Sequence, residues 1–203
     1  MSAVKVKICG LFRDCDVDAV NEARPDYIGF VFAKSRRQVS EEQAARMRAR
    51  LYPSIVPVGV FVNAPVEQVV RLLEQGVIEA AQLHGGESDD YIRSLKSRTE
   101  KPVVQAIRVD SADDVARAQS SLADFVLFDN GAGGTGEVFD WRLLAHSEKP
   151  FFLAGGLHAE NVEQAIRQTH PYAVDLSSGA ETNGVKDREK IMEIVRRIRH
   201  VER

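Results

Sequence analysis

The sequence has few of the residues that mark redox, zinc-binding or disulfide-rich proteins. Its 203 residues include two cysteines, Cys9 and Cys15, and five histidines. The cysteines lack the close CxxC spacing of a redox pair, and too few Cys and His residues surround them for a zinc site. A chain of this length can bury a core without disulfide bonds, so we expect a reduced, cytoplasmic protein.

Excess positive charge and long apolar runs are absent as well. A formal net charge of -3 and a pI near 6.0 provide no basic field, so nucleic acid is not an expected partner. The longest uncharged stretch, residues 51–66, contains three prolines and is shorter than the about 20 apolar residues that span a bilayer. Lys5 and Lys7 alternate with apolar residues near the start, and no small-residue cleavage site follows. Neither a membrane segment nor an export signal is therefore expected.

Hydrophobic periodicity predicts alternating strands and helices. Eight runs rich in β-branched and apolar residues are nearly continuous, as in a parallel sheet that is covered on both faces. These runs are residues 5–8, 27–32, 55–62, 78–83, 102–108, 125–129, 151–154 and 173–176. Segments with helical spacing lie between them, and two begin after the capping residues Ser40 and Ser111. The pattern predicts an α/β fold in which a strand and a helix alternate eight times.

Two α/β architectures fit this pattern, an open doubly wound sheet and a closed (β/α)8 barrel. The strand count favours the barrel, and only closure brings the loop after the first strand beside those after the seventh and eighth. Such barrels are typically about 250 residues long and can be as short as about 200. We therefore expect residues 1–203 to form a single TIM barrel domain of near-minimal size.

Glycine-rich turns follow the last three predicted strands, at residues 131–136, 154–157 and 177–179. Glycine lets backbone N–H groups surround an oxyanion, although a glycine after a strand is more often only part of a turn. The turns after the seventh and eighth strands coincide with the usual phosphate site of a barrel. We predict a phosphate site formed by backbone amides, and its candidate residues are Gly133, Gly134, Gly155, Gly156, Ser177, Ser178 and Gly179.

Cys9 and Asp129 end the first and sixth predicted strands, where side chains face the mouth of a barrel. A carboxylate there can act as a general acid or base, or it can only cap a loop. A free cysteine is most often a small buried hydrophobic residue, but Cys9 precedes the turn that Gly10 opens, so its thiol should face the mouth. Asp175 competes with Asp129 for the acid role, but a second carboxylate near phosphate would repel it. We expect Asp175 to orient loop amides instead.

Three further polar residues are candidates for substrate binding. Arg37 lies in a basic loop after the second strand, and its planar guanidinium suits a carboxylate, although the loop can also be a solvated surface cluster. Gln82 and His84 lie at the end of the fourth strand. They are expected to line the same pocket, or else His84 forms a structural hydrogen bond.

Seven segments, in order along nearly the whole chain, resemble those of the phosphoribosylanthranilate isomerase family of tryptophan biosynthesis. They are KICG (7–10), SRR-V-S (35–40), VGVFVN (58–63), QLHG (82–85), GGTGEVFDW (133–141), LAGGL-x-x-x-NV (153–162) and AVDLSSG (173–179). AGGL alone recurs among phosphate-binding barrels. The ordered series is specific to this family.

The resemblance implies an Amadori rearrangement that needs no metal or organic cofactor. In this family the cysteine of KICG is the general base and the aspartate that ends the sixth strand is the general acid, which fall on Cys9 and Asp129. The second arginine of the SRR segment, Arg37, corresponds to the clamp on the anthranilate carboxylate. GGTG, AGGL and SSG correspond to the phosphate loops. The expected partner is a small phosphorylated sugar-anthranilate substrate, and we expect a monomer or a homodimer.

The chain departs from the family pattern at Phe12, at Gln38 and in a short loop between Asp129 and Gly133. The short loop affects how the phosphate and the sugar ring are covered. Two alternatives remain open. A related aminoaldose isomerase of histidine biosynthesis would be expected to end its first strand in a carboxylate, which Cys9 argues against. A catalytically silent phosphate-binding or regulatory barrel is the second, and a measurement of turnover distinguishes it.

Overall fold

Eight parallel strands form a closed barrel in the computed structural model, which describes residues 4–130 and 139–201. Each strand pairs with its neighbours along the chain, and β1 also pairs with β8, which closes the sheet. The strands are β1 (Lys5–Cys9), β2 (Tyr27–Val31), β3 (Val56–Phe61), β4 (Ala80–Leu83), β5 (Val103–Arg108), β6 (Phe125–Asp129), β7 (Phe151–Leu153) and β8 (Ala173–Leu176). Each strand overlaps its predicted run, and the predicted TIM barrel is confirmed.

Seven α-helices surround the barrel in the described residues. They are α1 (Asp14–Ala23), α2 (Glu41–Arg50), α3 (Val66–Glu74), α4 (Asp89–Lys96), α5 (Ala112–Gln119), α6 (Val162–Thr169) and α7 (Arg188–Arg199). Helices α2 and α5 begin directly after Ser40 and Ser111, as the capping pattern predicts, and the Ser40 hydroxyl accepts a hydrogen bond from the Gln43 N–H at 3.1 Å. Within the two described ranges, no helix is long and apolar enough to span a membrane.

The described residues of the sixth unit differ from the expected α-helix. Between β6 and β7 the described residues form a 3₁₀ helix, Trp141–His146. The Asp140 carboxylate caps its start by accepting a hydrogen bond from the Arg142 N–H at 3.0 Å.

Two apolar clusters fill the fold. The larger lies between the strands and the helices, where each helix buries one face; in α3 the buried residues are Val69, Val70, Leu72 and Leu73. The smaller cluster has Leu127 and Phe152 at its centre, with Tyr27 and Tyr172 packed against it. The two tyrosine hydroxyls are 2.8 Å apart. These aromatic side chains line a cavity of about 290 Å³ at the amino ends of the strands, whereas polar groups lie at the carboxyl ends that form the mouth.

A short hairpin follows β8 and lies outside the predicted pattern. It consists of β9 (Glu181–Thr182) and β10 (Val185–Lys186), and a 3₁₀ helix, Ser178–Ala180, precedes it. Asn183 and Gly184 connect its strands with φ angles of 52° and 81°. Positive φ at both central residues is the requirement of the tight hairpin turn that Asn-Gly pairs favour. The hairpin carries Glu181 and Lys186, two buried charged residues that reach the mouth of the barrel.

Candidate active site

A cleft of about 330 Å³ opens at the carboxyl ends of the strands. Its lining includes most of the predicted site residues, namely Cys9, Arg37, Gln82, His84, Asp129, Gly155, Gly156, Ser177 and Ser178. Gly179 lies in the adjacent loop, and Gly133 and Gly134 lie outside the described residues. The closure of the sheet brings these residues together, although they come from segments far apart in the sequence.

Cys9 ends β1 with its side chain turned into the barrel, and only 9% of the residue is exposed. The neighbouring strand makes room for it with a glycine, because a Cβ at Gly29 would lie 2.6 Å from the Cys9 Sγ. Burial raises the pKa of the Cys9 thiol, and the Asp175 carboxylate adds to this effect. The ammonium groups of Lys7 and Lys186 act in the opposite direction and favour the thiolate.

Lys7 and Asp175 form a buried ion pair beneath Cys9. The two residues face each other across the β1–β8 ladder, and the Lys7 Nζ donates to the Asp175 Oδ2 at 2.6 Å. Their side chains are 1% and 7% exposed, respectively. The expectation that Asp175 orients loop amides was wrong, because its partner is Lys7 and its Oδ1 has no hydrogen-bond partner among the described residues. Asp175 contacts Lys7 because the register of β1 and β8 places the two residues opposite each other.

Arg37 reaches the cleft from the loop after β2 and forms a two-pronged ion pair with Glu181. The Arg37 Nε and Nη2 lie 2.6 and 2.8 Å from the two carboxylate oxygens. Lys186 donates to the same carboxylate at 2.6 Å and to the backbone carbonyl of Ser177 at 3.1 Å. Burial alone would raise the pKa of Glu181, but the hydrogen bonds from Arg37 and Lys186 lower it to about 2. Glu181 is therefore ionised throughout the neutral range.

Asp129 ends β6 in a different kind of environment. Its Oδ1 accepts a hydrogen bond from the Asn130 N–H at 2.7 Å, and its Oδ2 lies 3.6 Å from the His84 Nε2. The Gln82 Nε2 lies 2.8 Å from the His84 Nδ1. Because an amide nitrogen can only donate, Nδ1 accepts and the neutral imidazole carries its proton on Nε2, the atom that faces Asp129. Gln82 thus orients His84 toward the carboxylate.

The loops after β7 and β8 lie against each other at the mouth. A Cβ at Gly179 would come within 2.0 Å of the Leu157 carbonyl oxygen, so only glycine permits this approach. The backbone N–H groups of Gly155, Gly156 and Ser178 make no hydrogen bond within residues 4–130 and 139–201. These three amides are available to an anion in the cleft, whereas the geometry of Gly179 serves the packing of the loops.

Three charged residues near the site, Lys7, Glu181 and Lys186, were missed as functional groups by the sequence interpretation. Lys7 is recognisable only afterwards, as a charged residue two positions before Cys9 on the inner face of a buried strand. Glu181 and Lys186 flank the Asn183–Gly184 pair, whose turn signal predicts a hairpin that would have placed them side by side. The partner of Asp175 depends on strand register, which the sequence does not display.

The fold and the cleft define a (β/α)8 barrel enzyme with its chemistry at the carboxyl ends of the strands. Residues 6–197 match the family described as N-(5'phosphoribosyl)anthranilate (PRA) isomerase, and the chain belongs to this family. The resemblance deduced from the seven segments is thereby confirmed.

Relatives and solved structures match over nearly their whole length. An N-(5'-phosphoribosyl)anthranilate isomerase of Endomicrobium trichonymphae is 50% identical over 199 residues, which are 96% of this chain and 98% of the relative. The phosphoribosyl anthranilate isomerase structure from Thermotoga maritima superposes with a TM-score of 0.88 at 36% identity and covers 96% of this chain and 98% of its own. Another structure of such an enzyme, with a TM-score of 0.85 at 35% identity and the same coverage, contains reduced 1-(O-carboxyphenylamino)-1-deoxyribulose 5-phosphate.

Proposed function

We propose that this protein catalyses the Amadori rearrangement of N-(5-phospho-β-D-ribosyl)anthranilate to 1-(2-carboxyphenylamino)-1-deoxy-D-ribulose 5-phosphate in tryptophan biosynthesis. The observation that carries the proposal is the presence of a buried thiol, Cys9, and a carboxylate, Asp129, in one cleft beside loops with unpaired amides. Membership of the isomerase family supports it. Residues 1–203 would form one catalytic domain that acts in the cytoplasm, as a monomer or homodimer, without a cofactor.

Two proton transfers account for the reaction. Asp129 in its neutral form donates a proton to the ring oxygen of the ribose, the bond between this oxygen and C1 breaks, and the nitrogen lone pair forms a C=N bond to C1. The Cys9 thiolate then removes the proton from C2, which gives an enol that rearranges to the ketone. The substrate and product are isomers, so no oxidant or reductant takes part.

Arg37 is proposed to bind the anthranilate carboxylate, with fewer N–H donors than an arginine without other partners would have. Its Nε and Nη2 are engaged by Glu181, whereas its Nη1 has no partner in the described part of the chain. The two N–H groups of Nη1 and the second N–H of Nη2 are therefore left for the anthranilate carboxylate, together with the positive charge. Glu181 fixes the orientation of this group in advance. Gln82 and His84 would complete the binding surface on the side of Asp129.

The substrate phosphate is proposed to bind backbone amides rather than side-chain cations. The amides of Gly155, Gly156 and Ser178 support this arrangement, and the predicted phosphate residues Gly133, Gly134, Ser177 and Gly179 would extend it. Lys186 lies under the loop with its ammonium committed to Glu181 and the Ser177 carbonyl. Its charge still adds a favourable field for the phosphate.

A fluorescence assay with freshly prepared phosphoribosylanthranilate tests the proposed activity. We expect enzyme-dependent consumption of the substrate and competitive inhibition by inorganic phosphate at millimolar concentration. A folded protein without turnover would support the silent phosphate-binding barrel instead. Turnover of only the aminoaldose of histidine biosynthesis would support the related isomerase.

A further inference from the structure

We propose that Lys7 is a positioning residue for Cys9: its buried ammonium, anchored by Asp175, stabilises the thiolate that removes the substrate proton. The inference rests on the proposed role of Cys9 as the general base. It assigns a task to a buried ion pair that the reaction itself does not use.

The strand geometry brings the three groups together. Lys7 and Cys9 are two positions apart on β1, so both side chains point to the inner face of the barrel. Asp175 is the register partner of Lys7 on β8, and it lines the same cleft as Cys9. The Lys7 ammonium is therefore held by a carboxylate at 2.6 Å on the same inner face of the barrel as the thiol at the strand end.

The ammonium of Lys7 must stay charged in this position. A neutral amine would leave the Asp175 carboxylate without a counter-ion in a site where both side chains are more than nine-tenths buried. Burial opposes the charge, but Asp175 and Cys9 more than offset it and raise the pKa of Lys7. Asp175 thus secures the charge, and Lys7 presents it to the thiol.

Charged groups from three other segments also face Cys9, and they explain why Lys7 is singled out. Asp175 on β8 disfavours the thiolate, while Lys186 on β10 favours it. Arg37 in the loop after β2 also interacts with the thiol. Lys186 and Arg37 share the Glu181 carboxylate, which offsets part of their charge. Of these charges, that of Lys7 has the largest effect on the pKa of Cys9.

The test is the pH dependence of Cys9 alkylation by iodoacetamide, measured in a Cys15→Ser background so that one thiol reacts. Only the thiolate reacts, so the inflection of the rate reports the Cys9 pKa without any need for activity. In Lys7→Met, which keeps an unbranched side chain only one atom shorter, we expect the inflection to rise by at least about one pH unit, the shift that a nearby opposite charge causes. Lys5→Met removes a charge from the same strand where Asp26 is its partner, and it should leave the inflection unchanged.

The double variant Lys7→Met/Asp175→Asn separates charge from packing. It removes the opposing carboxylate as well, so its inflection should lie above the wild-type value and below that of Lys7→Met. The double variant also leaves no unpaired buried charge, so it decides the matter if Lys7→Met does not fold. A wild-type inflection in the folded variants, or an equal shift in Lys5→Met, would overturn the proposal. Failure of the proposed function is distinguishable, because the wild type would then show no turnover, and failure of the general-base role would appear as turnover retained in Cys9→Ser, whatever the alkylation profiles show.

Discussion

Two walls of the cleft place their reactive groups in opposite electrostatic environments. The thiol wall consists of Cys9 and Asp175, which line the cleft, together with the buried charged residues next to them, Lys7, Glu181 and Lys186; it is almost completely buried and dense in paired charges. The carboxylate wall, formed by Gln82, His84, Asp129 and Asn130, is more open, since the side chains of His84 and Asp129 are 37% and 15% exposed. One wall consists of fixed buried ion pairs, and the other of hydrogen-bonded polar side chains closer to solvent.

The contrast follows from the tasks proposed for the two groups. A thiol with a pKa of about 8.5 is only about 3% ionised at pH 7, and burial makes ionisation harder. Cationic groups held in place by buried carboxylates can offset that cost without rearranging during the reaction. A carboxylic acid that donates a proton must instead be reprotonated by water or by a neighbouring group, and the greater exposure of its wall permits this. The arrangement of the two walls therefore matches a base that needs support and an acid that needs access.

The largest effect is expected from Cys9→Ser, which removes the ionisable group of the thiol wall. Serine is nearly the same size but is far too weak an acid to form an alkoxide near pH 7, so kcat should fall by roughly 10²–10⁴ with little change in substrate binding. Single-turnover measurements should accompany kcat, because slow product release can mask the chemical step. A wild-type single-turnover rate in Cys9→Ser would show that Cys9 only packs in the core. Cys15→Ser, which changes the exposed cysteine, is the control and should keep the wild-type rate.

Asp129→Asn tests the carboxylate wall in the same way, with a comparable loss of kcat expected because an amide cannot donate the ring-opening proton. The two variants should differ in their pH profiles. Since burial raises the pKa of the Cys9 thiol, the wild-type kcat should rise with pH above neutrality on the limb that Cys9 controls. Asp129→Asn should keep this rising limb and lose the opposite one, whereas Cys9→Ser should lose the rising limb. Identical profiles in the two variants would contradict the division of roles.

Glu181→Gln tests whether the buried charges of the thiol wall contribute to stability. The folded pKa of Glu181 lies at about 2 against an ordinary value of 4.5, so its ionised form stabilises the protein above pH 4.5 by about 3 kcal/mol. This contribution should disappear as the pH falls from 4.5 to 2. Urea unfolding should show Glu181→Gln less stable than wild type at pH 7, with the difference shrinking toward pH 3.

The matched control is Glu79→Gln, because Glu79 pairs with Arg48 at 2.6 Å where both side chains are partly exposed. Such surface pairs contribute about 0–1 kcal/mol, so its unfolding free energy should change little at either pH. An equal loss in the two variants would show that burial gives Glu181 no special weight.

The smallest effect is expected from Arg37→Ala, which removes the proposed partner of the anthranilate carboxylate at the edge of the thiol wall. The KM for the substrate should rise roughly ten- to a hundredfold, because a charge-assisted hydrogen bond contributes about 1.5–3 kcal/mol. Arg36→Ala, at a neighbouring side chain that is 62% exposed, should have little effect. A substrate analogue without the anthranilate carboxylate should bind wild type and Arg37→Ala with equal affinity. Weaker binding of this analogue to Arg37→Ala than to wild type would show that Arg37 has a structural role.

The strands, the barrel and most of the cleft could be predicted from local patterns. Apolar runs of strand length mark β1 to β8 wherever the chain crosses the core, and Cys9 and Asp129 stand at the ends of such runs. The 3₁₀ helix at Trp141–His146 could not be predicted in this way, because the winding of a short segment depends on its ends and its packing.

Sequence by itself determined the order of the elements, the positions of the reactive residues at strand ends and the family, because each depends on residue type and on spacing along the chain. Only the tertiary structure decided which charges meet. Lys7 faces Asp175 across 168 residues, and Arg37 meets Glu181 across 144, through strand register and hairpin placement. A buried ion is tolerated only beside its counter-ion, and the closed sheet determines which side chains become neighbours. The contrast between the two walls of the cleft is therefore a property of the folded barrel.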